Sequence, residues 1–186
     1  VWDDVDAADN GVTDLGADNT LGYEMTMNGI TASASYARTG LGTDNSIVLI
    51  ANELVDGASF GIGSGTNVIS NTSEDDMTTM WAKYTAGAAT FGVQLSEIDK
   101  TAANSDVDRE AASISVAVNE NLSVSYGIST VEYENSTKSD EESSGFSASY
   151  TMGSMTLGAV ANKTDSISGT AGTDYSFTEV SLAFAF

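Results

Sequence analysis

Carboxylates are the only reactive side chains that this chain offers in number. Its 186 residues include 27 Asp and Glu against 6 Lys and Arg, with no His and no Cys, for a net charge of -21. The acids bunch in three places: an opening run of Asp3, Asp4, Asp6, Asp9, Asp14 and Asp18, then Glu74-Asp75-Asp76, then Asp140-Glu141-Glu142. Oxygen ligands at that density suit a hard cation, and Ca2+ at Asp3, Asp4 and Asp6 is one reading of the opening run. None of the three clusters has the spacing of a dedicated calcium loop, so solvated loop charge is the competing reading. Catalysis is disfavoured, because the usual general base and the commonest activated nucleophile are missing. No Asp-Thr/Ser-Gly signal of a carboxylate protease compensates, and no enzyme is expected. The negative charge repels nucleic acid. Without Cys there is neither a disulfide framework nor a thiolate metal site.

The elements that would position these groups read as strands. The longest uninterrupted apolar run is Ile47 to Ala51, far short of the roughly 20 residues of a membrane-spanning helix, so any passage through a bilayer must use a β-barrel. Neither an initiator Met nor an apolar leader opens the chain, which reads as a processed, truncated or internal start. The dominant period is two. Leu21, Tyr23, Met25 and Met27 alternate with small or polar residues, Asn28-Gly29 supplies a tight turn whose two positions both tolerate positive φ, and Ile30, Ala32, Ala34 and Tyr36 continue the pattern. Further hairpins turn at Asp56-Gly57, Ala86-Gly87, Asn119-Glu120-Asn121 and Gly153-Ser154. They join strands near 47–55, 58–65, 77–85, 89–97, 109–118, 122–132, 145–152 and 155–163, with a last strand near 176–186. Longer polar stretches separate the hairpins: Thr39 to Ser46, Thr66 to Asp76, Asp99 to Asp108, Glu134 to Ser144 and Thr164 to Asp174. Strict alternation of short turns with long loops is the layout of bacterial outer-membrane barrels, with short turns periplasmic and long loops outside. A soluble sandwich has no reason to sort its loops this way, and a β-solenoid would repeat side-chain identities from coil to coil.

One face of each strand is expected to meet lipid. The outward sets are Phe91, Val93, Leu95; Ile114, Val116, Val118; Leu122, Val124, Tyr126, Ile128; Phe146, Ala148, Tyr150, Met152; and Val180, Leu182, Phe184, Phe186. The opposite faces are Ser, Thr, Gly and Ala, compact and nearly uncharged, where a soluble sheet would carry Lys and Glu. Such a face suits a water-filled lumen. By alternation, Glu24, Glu53, Lys83, Gln94, Arg109 and Glu179 are expected to line it. Tyrosines and Trp81 near strand ends fit interfacial belts. Ile47, Val48, Leu49 and Ile50 are apolar on both faces, which points to a subunit contact or to something packed inside.

The fold class expected is therefore all-β, an antiparallel transmembrane barrel with eleven strands present. Single-chain bacterial barrels have even strand numbers, and a terminal aromatic on the periplasmic side makes the first strand run inward from outside. That geometry calls for an odd number of further strands upstream. The ending Ser181-Leu182-Ala183-Phe184-Ala185-Phe186, the small-residue strands, the turn Thr26-Met27-Asn28-Gly29 and the acidic opening Val1 to Thr20 resemble the later part of an alphaproteobacterial general-diffusion porin of the Rhodobacter type. The resemblance implies strands six to sixteen of a sixteen-stranded porin at 20–186. It also implies that residues 1–19 are the end of the third loop, with Asp3, Asp4, Asp6, Asp9, Asp14 and Asp18 as constriction carboxylates. It implies further a homotrimer in the bacterial outer membrane, in contact with lipid and lipopolysaccharide, that passes small hydrophilic solutes. Carboxylates at mouth and constriction favour cations, so cation preference is expected. The rival from another class is a β-rich surface or adhesion protein, or a structural barrel with a plugged lumen.

Overall fold

A computed structural model describes residues 20–38 and 40–185. The eleven strands are β1 (Thr20–Met27), β2 (Ile30–Arg38), β3 (Thr43–Val55), β4 (Ala58–Ser70), β5 (Ser73–Ala86), β6 (Ala89–Lys100), β7 (Val107–Ala117), β8 (Leu122–Tyr133), β9 (Glu141–Met152), β10 (Met155–Asp165) and β11 (Tyr175–Phe184). They form one sheet in the order β1 to β11, each strand antiparallel to its neighbours in the chain. Among the described residues the only other element is a short 3-10 turn at Ile167–Gly169. The eleven-stranded antiparallel sheet is the all-β arrangement that the alternating pattern predicts.

The turns follow from backbone chemistry. Asn28 and Gly29 both sit at positive φ, 53° and 80°, the pair of left-handed conformations that a two-residue hairpin demands and that Asn and Gly adopt at least cost. At the other end of the sheet the strands outrun the sequence reading. The stretch Thr66 to Asp76, expected as a long loop, is mostly ladder: β4 continues to Ser70, β5 begins at Ser73, and only Asn71 and Thr72 turn the chain. The alternation of short and long connections therefore fails at this hairpin. Polar residues on both faces of these strand ends read as loop in the sequence, yet backbone pairing does not depend on side-chain polarity. Thr66 opposes Asp76 in register, and its hydroxyl donates to the Asp76 carboxylate at 2.6 Å.

Directly opposed residues in an antiparallel ladder share a face, so the register traces each face across the sheet. Met80, Leu95, Val93, Phe91, Ile114, Tyr126, Phe146, Leu157 and Leu182 fall on one. Gly63, Thr79, Ser96, Ser113, Ser125, Ser147 and Ser181 fall on the other. Every residue of the outward sets that lies in a ladder falls on the apolar face; Val118 follows the end of β7, and Phe186 is outside the described residues. Ile47 and Leu49 point to the apolar face, and Val48 and Ile50 to the opposite one.

Exposure runs opposite to that of a water-soluble sheet. Leu21 is 74% exposed, Val180 68% and Met27 62%, and among the described residues the buried hydrophobic ones are Ala37, Ala51, Ala111 and Val131. Along β6 the large residues Phe91, Val93 and Leu95 are exposed while Gly92, Gln94 and Ser96 are partly shielded. No large side chain among the described residues is fully buried. The sheet thus has no hydrophobic core, and its apolar face is bare. The upper limit of the apolar band steps obliquely across the strands: Met80 is opposite Leu95, but Leu95 is opposite Glu110 and Ile128 opposite Ser144. Strands tilted against a band of fixed height give that staircase.

Candidate functional site

The small-residue face gathers five of the six residues expected to line a lumen. Glu24 opposes Ser33, whose hydroxyl donates to Glu24 Oε2 at 3.0 Å. Lys83 opposes Ser59 and Gly92, Gln94 opposes Trp81 and Ala111, Arg109 opposes Ser96 and Val131, and Glu179 opposes Val160. All five share this face. Glu53 falls outside the regular ladder. It sits at φ 53° in a bulge between Asn52 and Val55, with no cross-strand partner in the ladder. Asn52 pairs with Ser59 and Val55 with Ala58, so Glu53 and Leu54 stand where β4 has no residue; parity is kept on either side of them, and the register assigns Glu53 to neither face. Asp3, Asp4, Asp6, Asp9, Asp14 and Asp18, and with them the Ca2+ reading, lie outside the described residues.

The two other acidic runs are split by the pleat. Glu74 and Asp76 fall on the apolar face with Asp75 on the other, and Glu142 falls on the apolar face with Glu141 on the other. Neighbours in sequence thus point apart, and among the described residues no group of three carboxylates is placed to hold a metal ion.

Hydroxyl pairs knit the small-residue face between strands: Ser35 with Ser46 at 2.8 Å, Thr79 with Ser96 at 2.8 Å, Ser125 with Ser147 at 2.7 Å and Ser143 with Thr164 at 3.0 Å. Bonded pairs hold their rotamers, so the wall is smooth and fixed while each oxygen keeps a lone pair for water or solute. At the long-loop end, segment 134–140 is tied to the 3-10 turn. Ser139 N donates to Gly169 O at 3.0 Å, Ser168 N donates to Glu141 Oε2 at 2.6 Å, and Lys138 Nζ lies 4.1 Å from the centre of the Tyr133 ring. Asp44, only 7% exposed, accepts from Val68 N at 2.8 Å and pins β3 to β4 at that same end.

Charge is sorted by face. Lys83, Lys100 and Arg109 stand on the small-residue face of β5 to β7, where Asp75, opposite Lys100, is the accompanying carboxylate. The other face of the same strands carries Asp76, Glu97, Asp99, Asp108 and Glu110 just beyond the apolar band. Trp81, expected in an interfacial belt, is instead on the small-residue face, mid-strand and half-buried. The signal was present in the sequence, since Trp81 and Lys83 share parity on one strand. The face as a whole can wet, orient and sort a solute by hydrogen bonding and charge.

No protein-family model matches the chain, and no curated protein sequence matches it either. Among solved structures it is similar to OmpT, an outer membrane protein of Vibrio cholerae, with a TM-score of 0.60 and 14% identity, covering 91% of this chain and 65% of that one. It is also similar to the NanC porin, with a TM-score of 0.55 and 13% identity over 90% of this chain and 92% of that one. At these identities the likeness is one of fold, and the chain spans 65% of the OmpT chain. Its eleven-stranded antiparallel sheet has the fold of outer-membrane β-barrel proteins.

Proposed function

We propose that the chain forms wall of a porin in the bacterial outer membrane, a water-filled channel for passive diffusion of small hydrophilic solutes and ions. The observation that carries this reading is the distribution of side chains over a single sheet without a core. Large apolar residues stand bare on one face, and small hydroxyl residues line the other. Water would penalise the first face by about 25 cal/mol for each Å2 of apolar surface, whereas lipid matches it and leaves the second face to enclose water. The fold-level likeness to OmpT and to the NanC porin supports the same reading.

In finer detail, the eleven strands are the later strands of a sixteen-stranded, trimeric porin of the Rhodobacter type. The odd strand number of the described residues supports the presence of further strands in the barrel. Residues 1–19 then supply the acidic side of the constriction, and cations are preferred. Purified protein reconstituted in planar bilayers should give stepwise conductance, with a reversal potential in a KCl gradient of the sign that K+ permeation produces. A membrane that stays closed, or a protein that stays soluble without detergent, overturns the proposal and favours a plugged barrel or a surface protein.

A further inference from the structure

The connection between β10 and β11 leans back across a neighbouring strand. Ser168, in its 3-10 turn, donates its backbone N–H to Glu141 Oε2 at 2.6 Å, and Glu141 opens β9. The side of the sheet on which it leans follows from the register. Glu141 opposes Val131, and Val131 opposes Arg109, which places the Glu141 side chain on the small-residue face. The connection is also tied at its own base, where Ile167 N donates to Thr173 O at 2.8 Å and Ser166 N donates to Asp174 Oδ1 at 3.1 Å. Ser166 and Ser168 both take the left-handed conformation, φ 55° and 56°, which a residue with a Cβ holds only where its surroundings fix it. Lys138 closes over the tip from the connection between β8 and β9. Asn135 makes the turn that presents it, its side chain accepting from Thr137 N at 3.0 Å and its backbone O from Lys138 N at 2.9 Å. A side-chain carbon at residue 169 would fall 2.8 Å from Lys138 Cδ and 2.9 Å from its Cβ, so the aliphatic stem lies on buried Gly169. The ammonium stands 4.1 Å from the centre of the Tyr133 ring, a cation–π contact. Tyr133 opposes Val107 and so belongs to the small-residue face as well.

We propose that residues 166–174 form a strap over the outer entrance of the channel, and that Glu141 and Lys138 are the positioning residues that hold it there and so set the largest solute admitted. The proposal deepens the porin reading and rests on it. A connection between adjacent antiparallel strands can stand clear in water. This one is instead folded toward the small-residue face, by a charge-assisted hydrogen bond from a wall carboxylate and by a lysine stem laid across a glycine. Pore diameter sorts solutes before any binding does, so a segment held inside the rim acts on size first. A tie that merely stiffened the rim would change stability and leave the sorting of solutes by size alone.

Liposome swelling with neutral sugars reads the size of the entrance without interference from lumen charge. The unaltered protein should pass arabinose and hold back the tetrasaccharide stachyose. Losing the charge-assisted bond in Glu141→Ala lowers the ratio of held to released strap about tenfold, so stachyose entry should rise about tenfold. Arabinose entry should stay as it was, which also shows that the variant has folded. Glu141→Gln keeps an acceptor for Ser168 N and should fall between the two. Lys138→Ala should act as Glu141→Ala does, and Lys138→Met, which keeps the stem on Gly169, should act less. The chain has no Cys, so Ser139→Cys with Thr170→Cys, added to Glu141→Ala, gives one bridge that can fasten the strap again beside the Ser139–Gly169 hydrogen bond. Oxidation should return stachyose to its original rate, and reduction should release it. A bridge that does not form, or the two sugars sorted alike in every variant, overturns the strap. Arabinose entry with no change in sorting sinks the strap alone, whereas no entry of either sugar, in the unaltered protein too, sinks the porin reading.

Discussion

The indole of Trp81 lies across Gly61 on the adjacent strand, where a side-chain carbon at residue 61 would fall 2.6 Å from Nε1. Glycine at this position is therefore a packing requirement of its neighbour. Gly61→Ala forces the ring off the wall and should destabilise the folded protein by about 1–3 kcal/mol, the usual range for overpacking. Trp81 emission in the Trp2→Phe background should shift on this change, and the urea midpoint should fall. An unchanged spectrum and midpoint would show that the ring does not rest there.

The apolar face makes a depth-dependent prediction. Val93 lies inside the band, opposite Ala82 and Ala112 and 53% exposed, whereas Thr130 lies at its upper limit beside Glu110. Val93→Arg should cost about 2–4 kcal/mol in a bilayer, and Thr130→Arg about 0–1 kcal/mol. Urea unfolding from phospholipid vesicles separates the two. Equal costs would mean that the face does not meet a bilayer.

Beyond the band, Asp108 stands directly opposite Glu97 on one side and Glu132 on the other. Like charges in directly opposed positions repel across a ladder, by a few tenths of a kcal/mol for an exposed pair. Asp108→Asn relieves two such pairs and should raise the unfolding midpoint at low salt. The gain should fade as the Debye length contracts to about 10 Å at 0.1 M salt. A gain that persists in molar salt would assign the effect to something other than charge.

Selectivity should follow the charges of the small-residue face. Glu24→Gln and Glu179→Gln each remove a carboxylate from it and should lower the cation-to-anion permeability ratio, while Lys83→Gln should raise it. Reversal potentials in a KCl gradient read the sign directly. A shift in the same direction for all three variants would contradict a pore lined by this face.

The sequence revealed the fold well where turn chemistry and alternation agree. Asn28-Gly29 could only be a tight turn, and Phe91, Val93 and Leu95 could only share a face. It misleads where polar residues continue a strand. Thr66, Asn67, Asp75 and Asp76 are polar on both faces, yet they continue the ladder of β4 and β5, because polarity marks where the apolar medium stops and pairing does not stop with it. Parity placed Glu24, Lys83, Gln94, Arg109 and Glu179 together, and the register leaves Glu53 out of the ladder, in an irregularity that leaves no trace in a pattern of residue types. The acidic runs looked like clusters in one dimension, but the pleat sends alternate carboxylates to opposite faces.

Because, among the described residues, each strand pairs only with its neighbours in the chain and no core binds distant segments together, the hairpin is a modular unit of inheritance. Its contacts close over short stretches of chain, so growth of the sheet can proceed locally, without long loops to draw together. Duplicating or deleting one hairpin would change the width of the sheet and leave the contacts of the others in place. A globular domain offers no such freedom, since its elements must fit a shared interior. In this architecture perimeter can evolve in steps of two strands, while the chemistry of the wall evolves one residue at a time.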